Sequence, residues 1–172
     1  ATVTSIAPTG TISMIAGCSA SIEPLYNVAY TKHVMGGLDV TSDRFVTMAK
    51  ARRVYSEALM DTLRGRSSIQ DVDGIPGDVK RLFQTAHDVP PERHLAVQAA
   101  FQRHVDNAVS KTVNLPASAT VEQVRTLFRR ARDRGVKGVT VFRSGSRREQ
   151  VLGEDPLKEE CVRECEYVDA SD

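Results

Sequence analysis

The sequence predicts an α/β fold. Strand, helix and strand signals follow one another over residues 107–142. Apolar residues recur at helical spacing over 43–63, and 41% hydrophobic against 26% charged residues in 172 gives a globular chain with a core. A parallel strand pair within one sheet needs a crossover connection, and the helix between the two strands supplies it. Trp is absent and aromatics make up 5%, so the core is aliphatic, which suits interior α/β packing better than a base-stacking or sugar-binding surface. There is no internal repeat and no low-complexity segment.

Residues 2–6 alternate β-branched and small side chains and run into the turn Ala7-Pro8-Thr9-Gly10, so a first strand is expected there. A short helix over 11–16 follows, then an ordered loop of small and polar residues over 17–24, and a second strand over 28–34. The spacing of Phe45, Met48, Ala49, Tyr55, Leu59 and Leu63 predicts a helix over 43–63 that breaks near Arg53 and ends at Gly65. A turn at 73–78 opens a short helix through Phe83, and Pro90 and Pro91 start a helix over 92–106. The expected strand 107–115 is closed by Pro116. Thr120 with Gln123 forms a capping box for a helix through Arg134, whose Val121, Val124, Leu127, Phe128 and Ala131 keep one face and which Gly135 terminates. Residues 138–142 are the last expected strand. The domain reading is a folded part over 1–152 and a flexible acidic tail over 153–172.

Charge divides the chain the same way. Residues 154–172 hold eight acids against Lys158 and Arg163, a net −6, so the formal total of +1 leaves +7 on residues 1–153. A basic body suits a phosphate-bearing partner, and few aromatics lie between its arginines, so a small phosphorylated substrate is as good a reading as nucleic acid. No window approaches a membrane span and no export signal opens the chain, which makes the cytoplasm the expected compartment. Three cysteines in a reducing compartment point to redox or metal chemistry rather than structural disulfides. A chain that opens on a strand without Met also reads as a piece of something larger.

The segment Ala7, Pro8, Thr9, Gly10, Thr11, Ile12, Ser13 passes from a strand straight into a helix. It sets unpaired backbone N–H groups and three hydroxyls at a positive helix terminus, the makings of a phosphate site. Neither the Gly-Lys-Ser/Thr of a Walker loop nor the glycine spacing of a dinucleotide fingerprint is present, and an ordinary Thr/Ser-capped turn fits the local pattern as well. His33, His87, His94 and His104 show no metal spacing and read as surface or packing residues, so no metal site is expected. His94, Gln98 and Gln102 share one helix face, and a polar stripe of this kind ordinarily faces solvent. In 107–115, Ser110, Thr112 and Asn114 line one strand face, opposite Val109, Val113 and Leu115.

Ala7-Pro-Thr-Gly-Thr-Ile-Ser-Met-Ile-Ala-Gly-Cys-Ser through Ser21-Ile-Glu-Pro24 resembles the substrate-phosphate loop of ribonucleotide reductases. Later blocks agree in order. Gln98-Ala-Ala-Phe-Gln102, Asp106-Asn-Ala-Val-Ser-Lys-Thr-Val-Asn-Leu115, Lys137-Gly-Val-Thr-Val-Phe-Arg143, Gly145-Ser-Arg147 and Gln150-Val-Leu152 are similar to the C-terminal third of the adenosylcobalamin-dependent, class II enzymes. The resemblance covers residues 1–152. It implies the C-terminal part of a ten-stranded α/β barrel, incomplete on its own. In that barrel a thiyl radical removes the 3′ hydrogen of a ribonucleotide and a cysteine pair reduces the 2′ carbon. Ala7 to Ser13 would bind the substrate phosphates, and adenosylcobalamin would be held mainly by an upstream part.

The family's radical cysteine lies in an Asn-x-Cys-x-Glu loop, which this sequence lacks, so the resemblance places the radical upstream. Cys18 reads instead as a packed, unreactive thiol. Iron-dependent relatives carry a Tyr-Tyr pair on the last barrel strand, where Val139-Thr-Val-Phe142 has no phenol. The family usually has Tyr and Asp where Phe142 and Ser144 stand. Cys161 and Cys165 match a tail pair that re-reduces the active-site disulfide by thiol exchange and draws electrons from thioredoxin, with incidental cysteines as the alternative. The implied partners are an upstream reductase segment, a ribonucleotide substrate and thioredoxin, with no membrane and no direct nucleic-acid contact. Two rival readings remain: a stand-alone nucleotide- or phosphate-binding regulatory module, and a basic nucleic-acid binder supported only by Arg129, Arg130, Arg132 and Arg134. The helix dipole explains those arginines without nucleic acid.

Overall fold

A computed structural model describes residues 2–32, 38–64 and 66–146. The element order is α1 (Gly10–Ile15), β1 (Ala29–Lys32), β2 (Leu38–Thr41), α2 (Asp43–Ala51), α3 (Glu57–Leu63), α4 (Gly77–Leu82), α5 (Pro91–Gln102), β3 (Thr112–Leu115), α6 (Val121–Asp133) and β4 (Thr140–Arg143). The expected βαβ unit is present: β3 and β4 pair in parallel from Thr112 opposite Thr140 to Leu115 opposite Arg143. Its helix begins as the sequence dictates, because Thr120 accepts from the Gln123 N–H while the Gln123 side chain accepts from the Thr120 N–H. Gly135, at φ 70°, follows the last turn in the left-handed conformation that suits glycine.

Two aliphatic cores form. Val28, Phe45, Ala49, Met60, Leu63, Ile69 and Val79 pack the first, under α2, α3 and α4. Leu95, Val113, Leu115, Leu127 and Ala131 pack the second, between α5, β3 and α6. Leu25 packs against the first core, bridging in parallel to Thr85 and accepting from the Ala86 N–H at 2.7 Å. The long helix expected over 43–63 divides at the expected place, where Arg53 takes φ 58° and Ser56 caps α3 by accepting from the Leu59 N–H.

Several expectations are corrected. The second strand, expected over 28–34, is one arm of an antiparallel pair, with Ala29 opposite Thr41; the partner Leu38–Thr41 was not foreseen. The first strand reduces to one parallel bridge between Ile6 and Val109. The helix expected over 92–106 stops at Gln102, and the strand expected over 107–115 is regular only from Thr112. The glutamines of α5 are the cause: Gln102 accepts from Val109 N–H and donates to the Val105 and Asn107 carbonyls, and Gln98 donates to the Val109 carbonyl. Side chains thus take the backbone groups that a ladder would otherwise use. On α6, Leu127 and Ala131 are buried, but Val121 and Phe128 stay 75% and 49% exposed, because they lie on one flank of the stripe rather than its centre. The described residues form two two-stranded sheets and no closed barrel. The boundary expected at 152/153 and the whole acidic tail lie outside the described residues, as does His33.

Residues 3–6 are tied down chiefly by Asp106. Its carboxylate accepts from Val3 N–H and Thr4 N–H at 3.0 Å each and from the Thr4 hydroxyl at 2.9 Å. These bonds, led by the Val3 N–H, hold the carboxyl below its ordinary value. A carboxyl depressed in the folded state contributes stability that is present above its unfolded pKa and is lost as pH falls through the folded value. Acidification through and below the carboxylate range is therefore expected to release the N-terminal residues first. Amide exchange at Asn107, whose N–H donates to the Thr4 carbonyl, should accelerate before exchange at Val113 does. Simultaneous acceleration at both positions would contradict this.

Candidate phosphate-binding site and its buried support

The Ala7–Ser13 segment lies at the surface with only Ser13 buried. Helix α1 starts at Gly10 with no side-chain cap, so the N–H groups of its first turn have no intrahelical partner and remain available to an anion. Thr9 precedes it in the left-handed conformation, at φ 50°, uncommon for a residue with a branched Cβ. What holds it is Ser21, whose N–H donates to the Thr9 hydroxyl oxygen at 2.7 Å. The Thr9 hydroxyl proton is thereby left to donate outward. Ser13 differs, because its hydroxyl donates to the Gly10 carbonyl at 2.9 Å and has only lone pairs to offer. The three expected hydroxyls are therefore unequal: Thr9 and the exposed Thr11 can donate to a phosphate, whereas Ser13 braces the turn.

Behind this loop lies a polar cluster that the sequence reading did not pick out. Glu23 accepts from the Thr112 N–H at 2.5 Å through one carboxylate oxygen and pairs with the Lys111 ammonium through the other. Lys111 is 2% exposed and also donates to the Thr112 carbonyl and to His94 Nδ1, each at 2.7 Å. An ammonium can only donate and a carbonyl can only accept. His94 must therefore be neutral, accepting at Nδ1 and donating from Nε2 to the Ala86 carbonyl at 2.9 Å. Burial agrees, pushing the imidazole below its ordinary value against the opposing pull of the Ala86 hydrogen bond. Burial likewise lowers the Lys111 pKa, with Glu23 opposing it. The α5 stripe expected to face water is thus turned inward: His94, Gln98 and Gln102 are 1%, 0% and 6% exposed, while Val97 and Phe101 face outward. The missed signal was that the apolar residues of this helix do not form a single face.

Cys18, expected to be packed, is exposed, because the small-residue loop after α1 builds no core around it. His87 is half-buried and packs edge-on against Tyr26, with ring centroids 5.2 Å apart. Among the described residues no group of three or more His, Cys, Asp or Glu could hold a metal ion. A cleft of about 570 Å³ opens at the carboxyl ends of β3 and β4, lined by His87, Asp88, Asn114, Pro116 and Ser144 among others. That is where ligands of parallel α/β sheets are found. The Ala7–Ser13 loop is not part of its lining. Cys161 and Cys165 lie outside the described residues. No helix of the described residues is long and apolar enough to cross a membrane.

Residues 1–142 match the family model of the ribonucleotide reductase barrel domain, and the chain belongs to that family. Among its relatives, the vitamin B12-dependent ribonucleoside-diphosphate reductase of Mycobacterium tuberculosis is 46% identical over 153 residues, 88% of this chain and 22% of that protein. The protein of the same name from Thermoplasma acidophilum is 43% identical over 153 residues, 88% of this chain and 20% of the relative. The chain thus spans about a fifth of the length of these curated relatives. The fold resembles the Actinobacillus ureae class Id ribonucleotide reductase alpha subunit, with a TM-score of 0.67 and 17% identity over 84% of this chain and 26% of the other.

Proposed function

We propose that this chain is the C-terminal part of the ten-stranded barrel of an adenosylcobalamin-dependent ribonucleoside-diphosphate reductase, located in the cytoplasm. Its Ala7–Ser13 segment binds the phosphates of a ribonucleotide that a thiyl radical, raised in an upstream segment, converts to the 2′-deoxyribonucleotide. Cys161 and Cys165 carry electrons from thioredoxin to the active-site disulfide. The observation that carries the reading is the uncapped start of α1, with the Thr9 hydroxyl oxygen accepting from the Ser21 N–H, which leaves its proton to donate to an oxyanion. Supporting it are relatives named vitamin B12-dependent at 46% and 43% identity. Adenosylcobalamin would be held mainly by the upstream segment and would supply the radical there.

The chemistry of this chain's own residues is electrostatic. Phosphate oxygens receive hydrogen bonds from the first-turn N–H groups and from Thr9, which orient the ribose without taking part in bond cleavage. Thr9→Ala removes one hydrogen bond to a charged group, worth roughly 1.5–3 kcal/mol, so KM for a ribonucleoside diphosphate should rise about ten-fold or more. Ser13→Ala should cost less, since the Ser13 proton is spent on Gly10. Steady-state kinetics of the two variants in the protein with its upstream segment check both. An unchanged KM in Thr9→Ala would leave the segment a plain turn.

A further inference from the structure

We infer that the Glu23–Lys111 pair, backed by His94, is a positioning unit that sets phosphate affinity by fixing the Thr9–Glu23 loop against β3. The inference rests on the phosphate-loop reading above. Lys111 itself cannot touch substrate: its three protons are all engaged, by Glu23, His94 Nδ1 and the Thr112 carbonyl. Glu23 is similarly occupied, one oxygen on Lys111 and the other on the Thr112 N–H. What the pair does is anchor the far end of the loop. Two residues before Glu23, Ser21 stands at φ 49° and its N–H is the donor that holds the Thr9 hydroxyl. The connection therefore runs from β3 through Lys111 and Glu23 to Ser21, and from Ser21 to the group that meets phosphate.

The cost of burying an ammonium argues against an incidental contact. A buried charge is tolerated only when paired and fully hydrogen-bonded, and an apolar residue at position 111 would fill the second core without that demand. The charge sits where the loop meets the start of β3, and among the described residues no other side-chain hydrogen bond joins residues 17–23 to that strand.

Glu23→Gln, Thr9→Ala and the double variant in the protein with its upstream segment test this, with CDP as the probe and KM and kcat measured separately. A role confined to folding lowers the active fraction, so the apparent kcat falls and KM stays at the wild-type value. Positioning predicts the reverse, a KM raised about ten-fold with kcat nearly unchanged, as loss of uniform binding requires. Because Glu23 acts through Thr9, the double variant should be no worse than Thr9→Ala alone. If Glu23→Gln does not fold, Glu23→Asp keeps the charge but is one methylene too short to keep both bonds, and gives the same readout. A KM raised by Thr9→Ala but untouched by either Glu23 variant overturns the inference alone. A KM untouched by Thr9→Ala overturns the phosphate-loop reading, and the inference falls with it.

Discussion

Gln98→Leu is expected to destabilise the protein by about 2–6 kcal/mol, a large part of the 5–15 kcal/mol typical of a domain. The amide of Gln98 donates to the Val109 carbonyl at 3.0 Å and to the Gly138 carbonyl at 2.7 Å, tying the approach to β3 to the approach to β4. Leucine keeps the volume and removes both donors. Each carbonyl left without a partner in a buried site costs about 1–3 kcal/mol. The Gln98 Oε1, buried with no partner, is lost in the same change and returns a little of that cost. Urea unfolding should show a lower midpoint at an unchanged slope. An unchanged midpoint would mean that water reaches both carbonyls.

The same glutamine explains why the fold was only partly legible in the sequence. Helix α6 could be read residue by residue, because Thr120, Gln123 and Gly135 act on their own neighbours. The parallel pairing of β3 with β4 followed from it, since a crossover helix between two strands leaves few alternatives. The limits of α5 and β3 could not be read, because they depend on where Gln98 and Gln102 find partners 3 to 40 residues away. A polar stripe looks the same in sequence whether it meets water or buried carbonyls. The loop Ala7–Ser13 was legible as a helix start with hydroxyls. The division of labour between Thr9 and Ser13 was not, because it is set by Ser21 and Gly10. Glu23 and Lys111, 88 positions apart, each look like ordinary charges until the fold joins them.

Cys161→Ser or Cys165→Ser is expected to abolish thioredoxin-driven turnover while permitting a single round of reduction. In the proposed cycle each reduction leaves an active-site disulfide, and a tail thiolate must attack it before the next substrate reacts. Removing either thiol stops this exchange after the chemistry is complete. Small dithiols need no tail to reach the disulfide and should partly restore cycling. The acids around the pair, Glu159, Glu160, Glu164 and Glu166, disfavour the thiolate, so exchange should accelerate as pH rises toward about 8.5. Rapid-quench measurement of the first turnover against the steady-state rate separates the two steps. A double Cys→Ser variant that cycles with thioredoxin at the wild-type rate would make both cysteines bystanders.

The central claim, that this chain is the phosphate-binding end of a reductase barrel, is tested most directly by assaying deoxyribonucleotide formation from CDP with adenosylcobalamin and a dithiol. The assay compares the chain alone, the chain mixed with its upstream segment, and the two joined. No product is expected from the chain alone, where β4 leaves an open sheet edge and Val121 and Phe128 stand exposed, and product is expected from both combinations. Full activity of the isolated chain, or no dCDP from the joined protein, would contradict the account.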